Sequence, residues 1–300
     1  FLDEVGELVW HRGLSHSVLI AVVAAIAGGW LLHRVNRSAD VTWARAGWAV
    51  GLIWSTHVLI DVFTVYGTQF WEPFSHYRAA IGNLFIIDPL FTLPLLLGLG
   101  VALLRRFQGR RSSGNRLGLA VCSAYAAWSL VSHSVAVGRF ERSLAEQGID
   151  YEHLAVGPTP FNTLLWRGLA QTRDGTLLGY TSHLDEDGPI QFEFIDRGSS
   201  YLEGIDGSPA VQCLIWFSKG FYSVAEDRNG IVFNDLRFGE IRQTDLQDAQ
   251  FMFSWRLSQS EEGEWGFETI RPEISDARSV LRSLVRRVLG DPSALGVARE

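Results

Sequence analysis

Four long apolar stretches dominate the first half of the sequence, and short polar segments separate them. They cover residues 17–32, 43–66, 83–104 and 117–137. A helix needs roughly 20 mostly apolar residues to cross a bilayer, and each stretch is close to that length. The pattern therefore predicts an α-helical membrane domain with about four transmembrane helices.

The second half has the pattern of a soluble domain that is mostly β. The turn Arg173-Asp174-Gly175 separates two apolar runs and predicts a hairpin. Apolar positions at helical spacing predict a closing amphipathic helix at 274–289. We expect strands at 164–172, 176–182, 190–195, 211–217, 220–224, 231–233 and 250–256.

The change in composition divides the chain into three parts. Residues 1–137 form the predicted membrane domain, 138–160 a linker and 161–300 a β-rich α+β soluble domain. The start of the linker, 138–147, is expected to be helical. The sequence begins at Phe1, and its first ten residues read like the middle of a protein. We therefore expect one further membrane helix before Phe1 that supplies acidic side chains.

Arginine is distributed unevenly among the polar segments. Segments 33–45 and 105–116 together hold eight arginines, whereas 67–82 holds one. Short cytoplasmic loops of membrane proteins are enriched in basic residues. We therefore expect a multi-pass protein with the two arginine-rich segments in the cytoplasm and the C-terminal domain on the extracytoplasmic side.

The overall charge and the cysteines narrow the range of functions. The net charge of −7 argues against a nucleic-acid partner. The apolar stretches make the lipid bilayer the expected partner. Cys122 lies in an apolar run and Cys213 in the soluble half. Two isolated cysteines predict neither a disulfide framework nor a cysteine-based zinc site.

Several titratable side chains fall within or beside the apolar stretches, and five of them form a candidate site: His11, His16, His57, Asp61 and Asp88. Because His57 and Asp61 are four residues apart, a helix would place them on one face. In the predicted topology all five lie toward the external ends of their segments. Imidazole and carboxylate groups are the ligands of catalytic divalent ions, so the set predicts a metal site for zinc, with manganese or magnesium as alternatives.

Each of these residues also has a structural interpretation. His57 and Asp61 could form a hydrogen-bonded structural pair, although a charge inside a membrane is costly and usually serves function. Asp88 could cap a helix, and His11 could be an interfacial residue. Arg12 could orient a carboxylate or bind the phosphate of a lipid headgroup.

The order of several motifs resembles a known family. The motifs are His11-Arg-Gly-Leu-Ser-His16-Ser, His57-x-x-x-Asp61, Gly67-Thr68, Pro73-Phe74-Ser75 and Asp88-Pro89. Over about residues 5–105 they look like the bacterial inner-membrane metal-dependent hydrolases, also described as LexA-regulated or LexA-binding membrane-associated hydrolases. The helical His-x-x-x-Asp signature gives a more distant likeness to zinc-dependent phospholipase C and the P1-type nucleases.

The resemblance implies a bacterial inner-membrane enzyme and a set of metal-site residues. That implied set is His11, His16, His57, Asp61 and Asp88. Members of the family also carry an acidic Pro-Asp-x-Asp element ahead of the first histidine, and residues 1–10 do not match it. The resemblance therefore leaves the ligand set open to a further contribution.

Together these observations predict a membrane-bound metal-dependent hydrolase at the outer face of the inner membrane. Its substrate would be a phosphoester or another lipid-linked group. Asp61 or Asp88 would hold the metal or accept a proton, and Arg12 would bind an anionic substrate. Two other functions remain open, a non-catalytic membrane regulator or scaffold with a structural metal site and a proton-linked transporter.

Overall fold

The computed structural model describes residues 4–36, 41–107, 114–242, 249–274 and 276–295. The chain forms two compact units, Phe1–Gly82 and Asn83–Glu300. The first unit is helical, and the second combines helices with two β-sheets. The domain boundaries predicted from composition stay a prediction.

The first unit contains three helices: α1 (Glu4–Trp10), α2 (Val18–Val35) and α3 (Trp43–Val62). A 3₁₀ turn, Leu14–His16, precedes α2. Hydroxyl caps start the two long helices, because Ser17 Oγ accepts from Ile20 N and Thr42 Oγ1 accepts from Arg45 N.

Helices α2 and α3 pack closely where two glycines meet. A Cβ on Gly29 would lie 2.6 Å from Gly47 Cα, so no larger residue fits without moving the backbone. Small residues of this kind allow close backbone approach between apolar helices. The contact fixes the separation of α2 and α3.

The segment that follows α3 is a loop, as predicted for 67–82, and it is tied to the N-terminal residues. Buried Gln69 donates from Nε2 to Val9 O at 2.7 Å. Buried Arg78 donates from Nη2 to His11 O at 2.6 Å. The loop therefore holds the backbone from α1 to the start of α2 in place.

The second unit begins with two long helices and continues as strands. The helices are α4 (Pro89–Phe107), α5 (Gly114–Glu146), α6 (Pro209–Ser218) and α7 (Ala277–Val288). The strands are β1 (His153–Pro158), β2 (Leu165–Gln171), β3 (Gly175–Ser182), β4 (Phe192–Asp196), β5 (Tyr222–Asp227), β6 (Gly230–Ile241), β7 (Gln250–Gln259) and β8 (Trp265–Ile270).

The strands form two antiparallel sheets, ordered β1-β2-β3-β4 and β5-β6-β7-β8. The first sheet packs on the C-terminal part of α5, where Phe140 and Trp166 are fully buried with Val156 and Ile190. Gly168 leaves room for the Phe140 ring, because a Cβ at that position would overlap the ring. This cluster joins the long helix to the β structure.

The prediction of about four transmembrane helices is wrong. Among the described residues, only Val18–Val35 and Gly114–Glu146 are long and apolar enough to cross a membrane. Helix α3 includes Arg45, His57 and Asp61, which lower its hydropathy, and the apolar part of α4 is short. The fourth stretch and the helix expected at 138–147 form one continuous helix that ends at Glu146.

The strand predicted at 211–217 is also wrong, because these residues belong to α6. Ser208 caps this helix by accepting from Val211 N, and Pro209 occupies its first turn. That capping signal outweighs the β propensity of a short apolar run. The hairpin at Arg173-Asp174-Gly175 is confirmed, since β2 and β3 pair antiparallel there. The closing amphipathic helix is confirmed as α7.

Candidate metal centre

Two histidines and one aspartate meet in the first unit. His16 ends the 3₁₀ turn before α2, and His57 and Asp61 lie in the last two turns of α3. Trp54 Nε1 donates to Ser15 O at 3.0 Å, which fixes the turn against α3. Helical spacing then directs His57 and Asp61 toward His16.

The three side chains present their ligand atoms to one point. His16 Nε2 lies 3.2 Å from His57 Nε2 and 3.3 Å from Asp61 Oδ2. His57 Nε2 lies 3.8 Å from the same oxygen. Within the described part of the chain, these three residues form the group whose ligand atoms all lie within 4.8 Å of one another.

Asp61 is the buried member of the group. Its Oδ1 lies 3.5 Å from Arg12 Nη2, and its buried Oδ2 accepts no hydrogen bond. Asp61 lies outside the two helices that are long and apolar enough to cross a membrane. Burial opposes the charged carboxylate, but the close contact with His16 and the charges of Arg12 and His57 outweigh it and lower the pKa of Asp61. The residue is therefore held as a carboxylate.

Arg12 is a neighbour of Asp61 with little access to solvent. Its Nη1 donates to Thr64 Oγ1 at 2.9 Å, and its guanidinium lies 4.8 Å from the centre of the Tyr66 ring. Its side chain is 10% exposed. These contacts favour the first of the two sequence interpretations, in which Arg12 orients a carboxylate.

His11 lines the same cavity without joining the three-residue group. Its ring packs edge-on against Tyr66, with the ring centres 5.1 Å apart. Burial, together with the positive charges of Arg12 and Arg78, lowers the pKa of His11. His11 is therefore neutral near pH 7, and its role as a metal ligand stays a prediction.

Asp88 belongs to the second unit, where it starts α4. Its Oδ1 accepts from Leu90 N at 2.9 Å, and its Oδ2 accepts from Tyr125 Oη at 2.8 Å. This is the helix-capping contact that the sequence left open beside metal binding. Both oxygens already have protein partners, and a role for Asp88 as a metal ligand stays a prediction.

The candidate centre opens into a cavity of about 560 Å³. His57 faces solvent with 62% of its side chain exposed, whereas the Asp61 side chain is 11% exposed. A ligand or a water could therefore reach the group from the side of His57, whereas Asp61 Oδ2 is buried. The lining residues are Trp10, His11, Arg12, Ser15, His16, His57 and Asp61.

The chain's similarity to known proteins bears on the same region. Residues 1–136 match the family described as YdjM inner membrane protein. The match includes the whole candidate centre and ends within α5, before the first strand. No curated protein and no solved structure matches the chain.

The YdjM match indicates an inner-membrane protein and agrees with the coarser part of the resemblance. Its description names no hydrolase activity, and the likeness to zinc-dependent phospholipase C and P1-type nucleases has no support from it. The β-rich part of the chain lies outside the match. An inner-membrane location is therefore the functional information that the match supplies.

Three neighbours of the centre were not identified from the sequence. Ser15 Oγ lies 2.9 Å from His16 Nδ1, so it orients the ring that presents Nε2. Thr64 holds Arg12, and Trp54 holds the backbone at Ser15. Thr64 lies three residues after Asp61, just past the end of α3. This spacing is the one local signal in the sequence for its role.

Proposed function

We propose that His16, His57 and Asp61 bind one divalent cation and that the chain is a membrane-bound metal-dependent hydrolase. The observation that carries the proposal is the triangle of ligand atoms, with sides of 3.2, 3.3 and 3.8 Å. The circle through three such points has a radius of about 2.0 Å, which is close to the usual length of zinc–nitrogen and zinc–oxygen bonds.

The chemistry of the donors also supports a metal. Two imidazoles with one carboxylate are a donor set of hydrolytic zinc sites. The buried Asp61 Oδ2 has no hydrogen-bond donor, and an unsatisfied polar atom of this kind costs about 1–3 kcal/mol. A cation would satisfy it. Imidazole favours zinc over magnesium, so zinc is the first candidate and manganese the next.

The surroundings favour an open, catalytic site over a closed, structural one. Three protein ligands would leave a coordination position for water or substrate, and all three residues line a cavity of about 560 Å³. A divalent ion there supplies Lewis-acid activation of water or of a phosphoryl oxygen. Arg12 holds Asp61 in place, Ser15 orients His16, and the exposed His57 ring meets the incoming substrate.

The position along the chain supports a lipid-linked phosphoester as substrate. His16 lies two residues before α2, an apolar helix long enough to cross the membrane. The cavity then opens near the membrane surface, where the headgroup phosphates of lipids lie. Trp10 is half exposed at its rim, as is common for tryptophan at this depth.

The arginine distribution supports an extracytoplasmic location for the centre. Arg34 lies in the last turn of α2, Arg37 and Arg45 follow it in the sequence, and basic residues favour the cytoplasm. His16 at the near end would then face the outside. A second cluster at 105–116 precedes α5, so the β-rich part that follows α5 would also be extracytoplasmic.

The proposal can be tested with the full chain reconstituted in lipid nanodiscs. After equilibrium dialysis against zinc, we expect one tightly held ion per chain, and we expect His57→Ala to lose it. His76→Ala is the matched control, because His76 pairs with Glu72 and lies outside the group. Retention of zinc by His57→Ala would contradict the proposed site.

Hydrolysis is measured on the same samples with bis-p-nitrophenyl phosphate and a fluorescent phospholipid. We expect zinc-dependent turnover that is lost in His16→Ala and His57→Ala and kept in His76→Ala. Stoichiometric zinc binding without turnover of either class would favour the non-catalytic membrane regulator. Proton uptake coupled to solute movement in vesicles, without turnover, would favour the transporter.

A further inference from the structure

Helix α7 has an inward face and an exposed apolar stripe. Val280, Leu284 and Arg287 face the rest of the second unit. Leu281, Val285 and Leu289 follow one another at four-residue spacing, so they share the opposite side. These three residues are 50%, 48% and 67% exposed, respectively.

Three arginines border this stripe. Arg278, Arg282 and Arg286 are also spaced by four residues and are exposed. Arg282 and Arg286 each come directly after a residue of the stripe, and Arg278 comes three residues before its first member. The three arginines therefore lie along the edge of the stripe. Arg286 pairs with Asp291 at 2.6 Å, whereas Arg278 and Arg282 form no ion pair with any carboxylate among the described residues.

The C-terminal end of α7 is fixed to the turn that follows β3. Arg287 donates from Nη2 to Asp185 Oδ2 at 2.9 Å and to Tyr180 O at 3.0 Å. Ser182 Oγ donates to Val288 O at 2.6 Å. The Arg287 side chain is 6% exposed, so this anchor is largely shielded from water.

The same turn is fixed to α5 where the apolar surface of that helix ends. His183 Nε2 lies 2.6 Å from Ser132 Oγ, and Arg139 Nη1 donates to Ser182 O at 2.7 Å. Exposed apolar residues cover α5 before this level and charged residues follow it. The apolar residues are Leu117, Leu119, Val121, Trp128, Val131 and Val135, and the charged ones are Arg139, Glu141 and Arg142.

This level has the composition of a membrane–water boundary. Trp128 lies there with its ring 6.3 Å from the His183 ring, and tryptophan is enriched at such boundaries. Were α5 to cross the membrane, as its length and composition allow, the turn at 182–185 would lie at the surface of the bilayer. The C-terminal end of helix α7, anchored to that turn, would then lie at the same level.

From these contacts we infer that α7 binds the surface of an anionic bilayer. Leu281, Val285 and Leu289 enter the region between headgroups and acyl chains, while Arg278 and Arg282 bind lipid phosphates. An exposed apolar stripe edged by arginines is the surface that interfacial helices present to lipid. The inference rests on α5 crossing the membrane and does not depend on the metal centre.

A bilayer fits this surface better than a second protein. The stripe is narrow, with three apolar residues, and protein interfaces of standard size bury about 800 Å² on each partner. The basic edge matches the phosphates of anionic lipids, which attract arginine near a membrane surface. The test must nevertheless distinguish lipid from protein.

The experiment places an environment-sensitive fluorophore on α7 of the full chain. Leu281→Cys and Ser279→Cys are labelled with NBD, because Ser279 is exposed on the side of α7 away from the stripe. Native Cys122 and Cys213 are buried, so labelling favours the new thiol. The proteins are reconstituted in vesicles with about 30% phosphatidylglycerol, and quenching by nitroxide-labelled lipid is compared with quenching by iodide.

We expect lipid nitroxides to quench the label at position 281 at least twofold more strongly than the label at 279, and iodide to show the reverse order. Adding Arg278→Gln and Arg282→Gln should lower lipid quenching at 281, as should vesicles of phosphatidylcholine alone. Equal iodide quenching at both positions would overturn the inference. Protection of 281 from both quenchers, lost on diluting the protein in lipid, would overturn it in favour of a second copy.

Discussion

The substitution Asp61→Asn tests the candidate metal centre at its buried ligand. The amide keeps the shape of the side chain and removes its charge. Asp61 Oδ2 lies 3.3 Å from His16 Nε2 and 3.8 Å from His57 Nε2, so it is one of the three proposed ligand atoms. We expect the Kd for zinc to rise at least about 100-fold, since even residues that only orient a ligand change metal affinity by about 10- to 100-fold.

A 100-fold change corresponds to about 2.7 kcal/mol of binding free energy. The substitution also removes the negative charge that faces the Arg12 guanidinium at 3.5 Å. At an effective dielectric constant of about 20, two unit charges at that distance attract by about 5 kcal/mol before desolvation is counted. Arg12 keeps its hydrogen bond to Thr64, so we expect a folded but less stable first unit.

The assay is a competition titration of the nanodisc-embedded protein against a chromophoric zinc chelator. Glu72→Gln is the matched control, because Glu72 is a buried carboxylate of the same unit that contacts His76 at 2.6 Å and lies outside the group. Circular dichroism checks that each variant is folded. A folded Asp61→Asn protein with the zinc affinity of the unsubstituted chain would refute the reasoning.

Three further outcomes are expected. Asp88→Asn should lower zinc affinity less than Asp61→Asn in the same titration, because both Asp88 oxygens already accept protein hydrogen bonds; an equal loss would assign Asp88 to the ligand set. Gly29→Ala should lower the free energy of unfolding by about 1–3 kcal/mol, because its Cβ would lie 2.6 Å from Gly47 Cα. The same displacement of α2 from α3 should weaken zinc binding. An unchanged thermal unfolding curve would contradict the close packing. Glu240→Gln should destabilise the second unit by about 3–5 kcal/mol at pH 7 in chemical denaturation, because it leaves buried Arg167 without its carboxylate; a loss below about 1 kcal/mol would contradict this role.

The contribution of Glu240 to the stability of the folded chain depends on pH, and the direction of its pKa shift determines how. Burial opposes the charged form, but the charges of Arg167 and Arg242 outweigh it and lower the pKa of Glu240. The stabilisation is therefore complete above the pKa of Glu240 in the unfolded chain and is lost as the pH falls through its lower value in the folded protein. Glu240→Gln should lack this part of the acid sensitivity.

Local patterns predicted local structure well. The spacing of Val280, Leu284 and Val288 predicted the closing helix, and the turn at Asp174-Gly175 predicted the hairpin. Helix α6 was missed because its signal is a capping serine and a proline ahead of a short apolar run. The two propensities differ little over so few residues, and the cap decides.

The number of membrane helices could not be read from apolar length alone. The stretch at 43–66 has the length of a span, but it contains the polar residues that build the candidate centre. The last stretch runs on beyond residue 137 as one helix because Phe140 packs on the first sheet and Leu144 is fully buried. Tertiary contacts of this kind leave no mark on a hydropathy pattern.

The candidate centre was predictable where helical spacing determines it. His57 and Asp61 share a face of α3 because they are four residues apart, and the sequence placed His16 at the same end of its helix. The contacts of Arg12 with Thr64 and of Trp54 with Ser15 join residues far apart in the chain, so only the fold reveals them. A role for His11 or Asp88 in binding metal stays a prediction.

Zinc K-edge X-ray absorption of the zinc-loaded full chain tests the central proposal most directly. We predict a first shell of nitrogen and oxygen at about 2.0 Å with multiple scattering from two imidazoles, reduced to one imidazole in His57→Ala. The control His76→Ala should give the spectrum of the unsubstituted chain. A shell without imidazole scattering, or one unchanged in a double variant His16→Ala and His57→Ala, would contradict a metal centre at His16, His57 and Asp61.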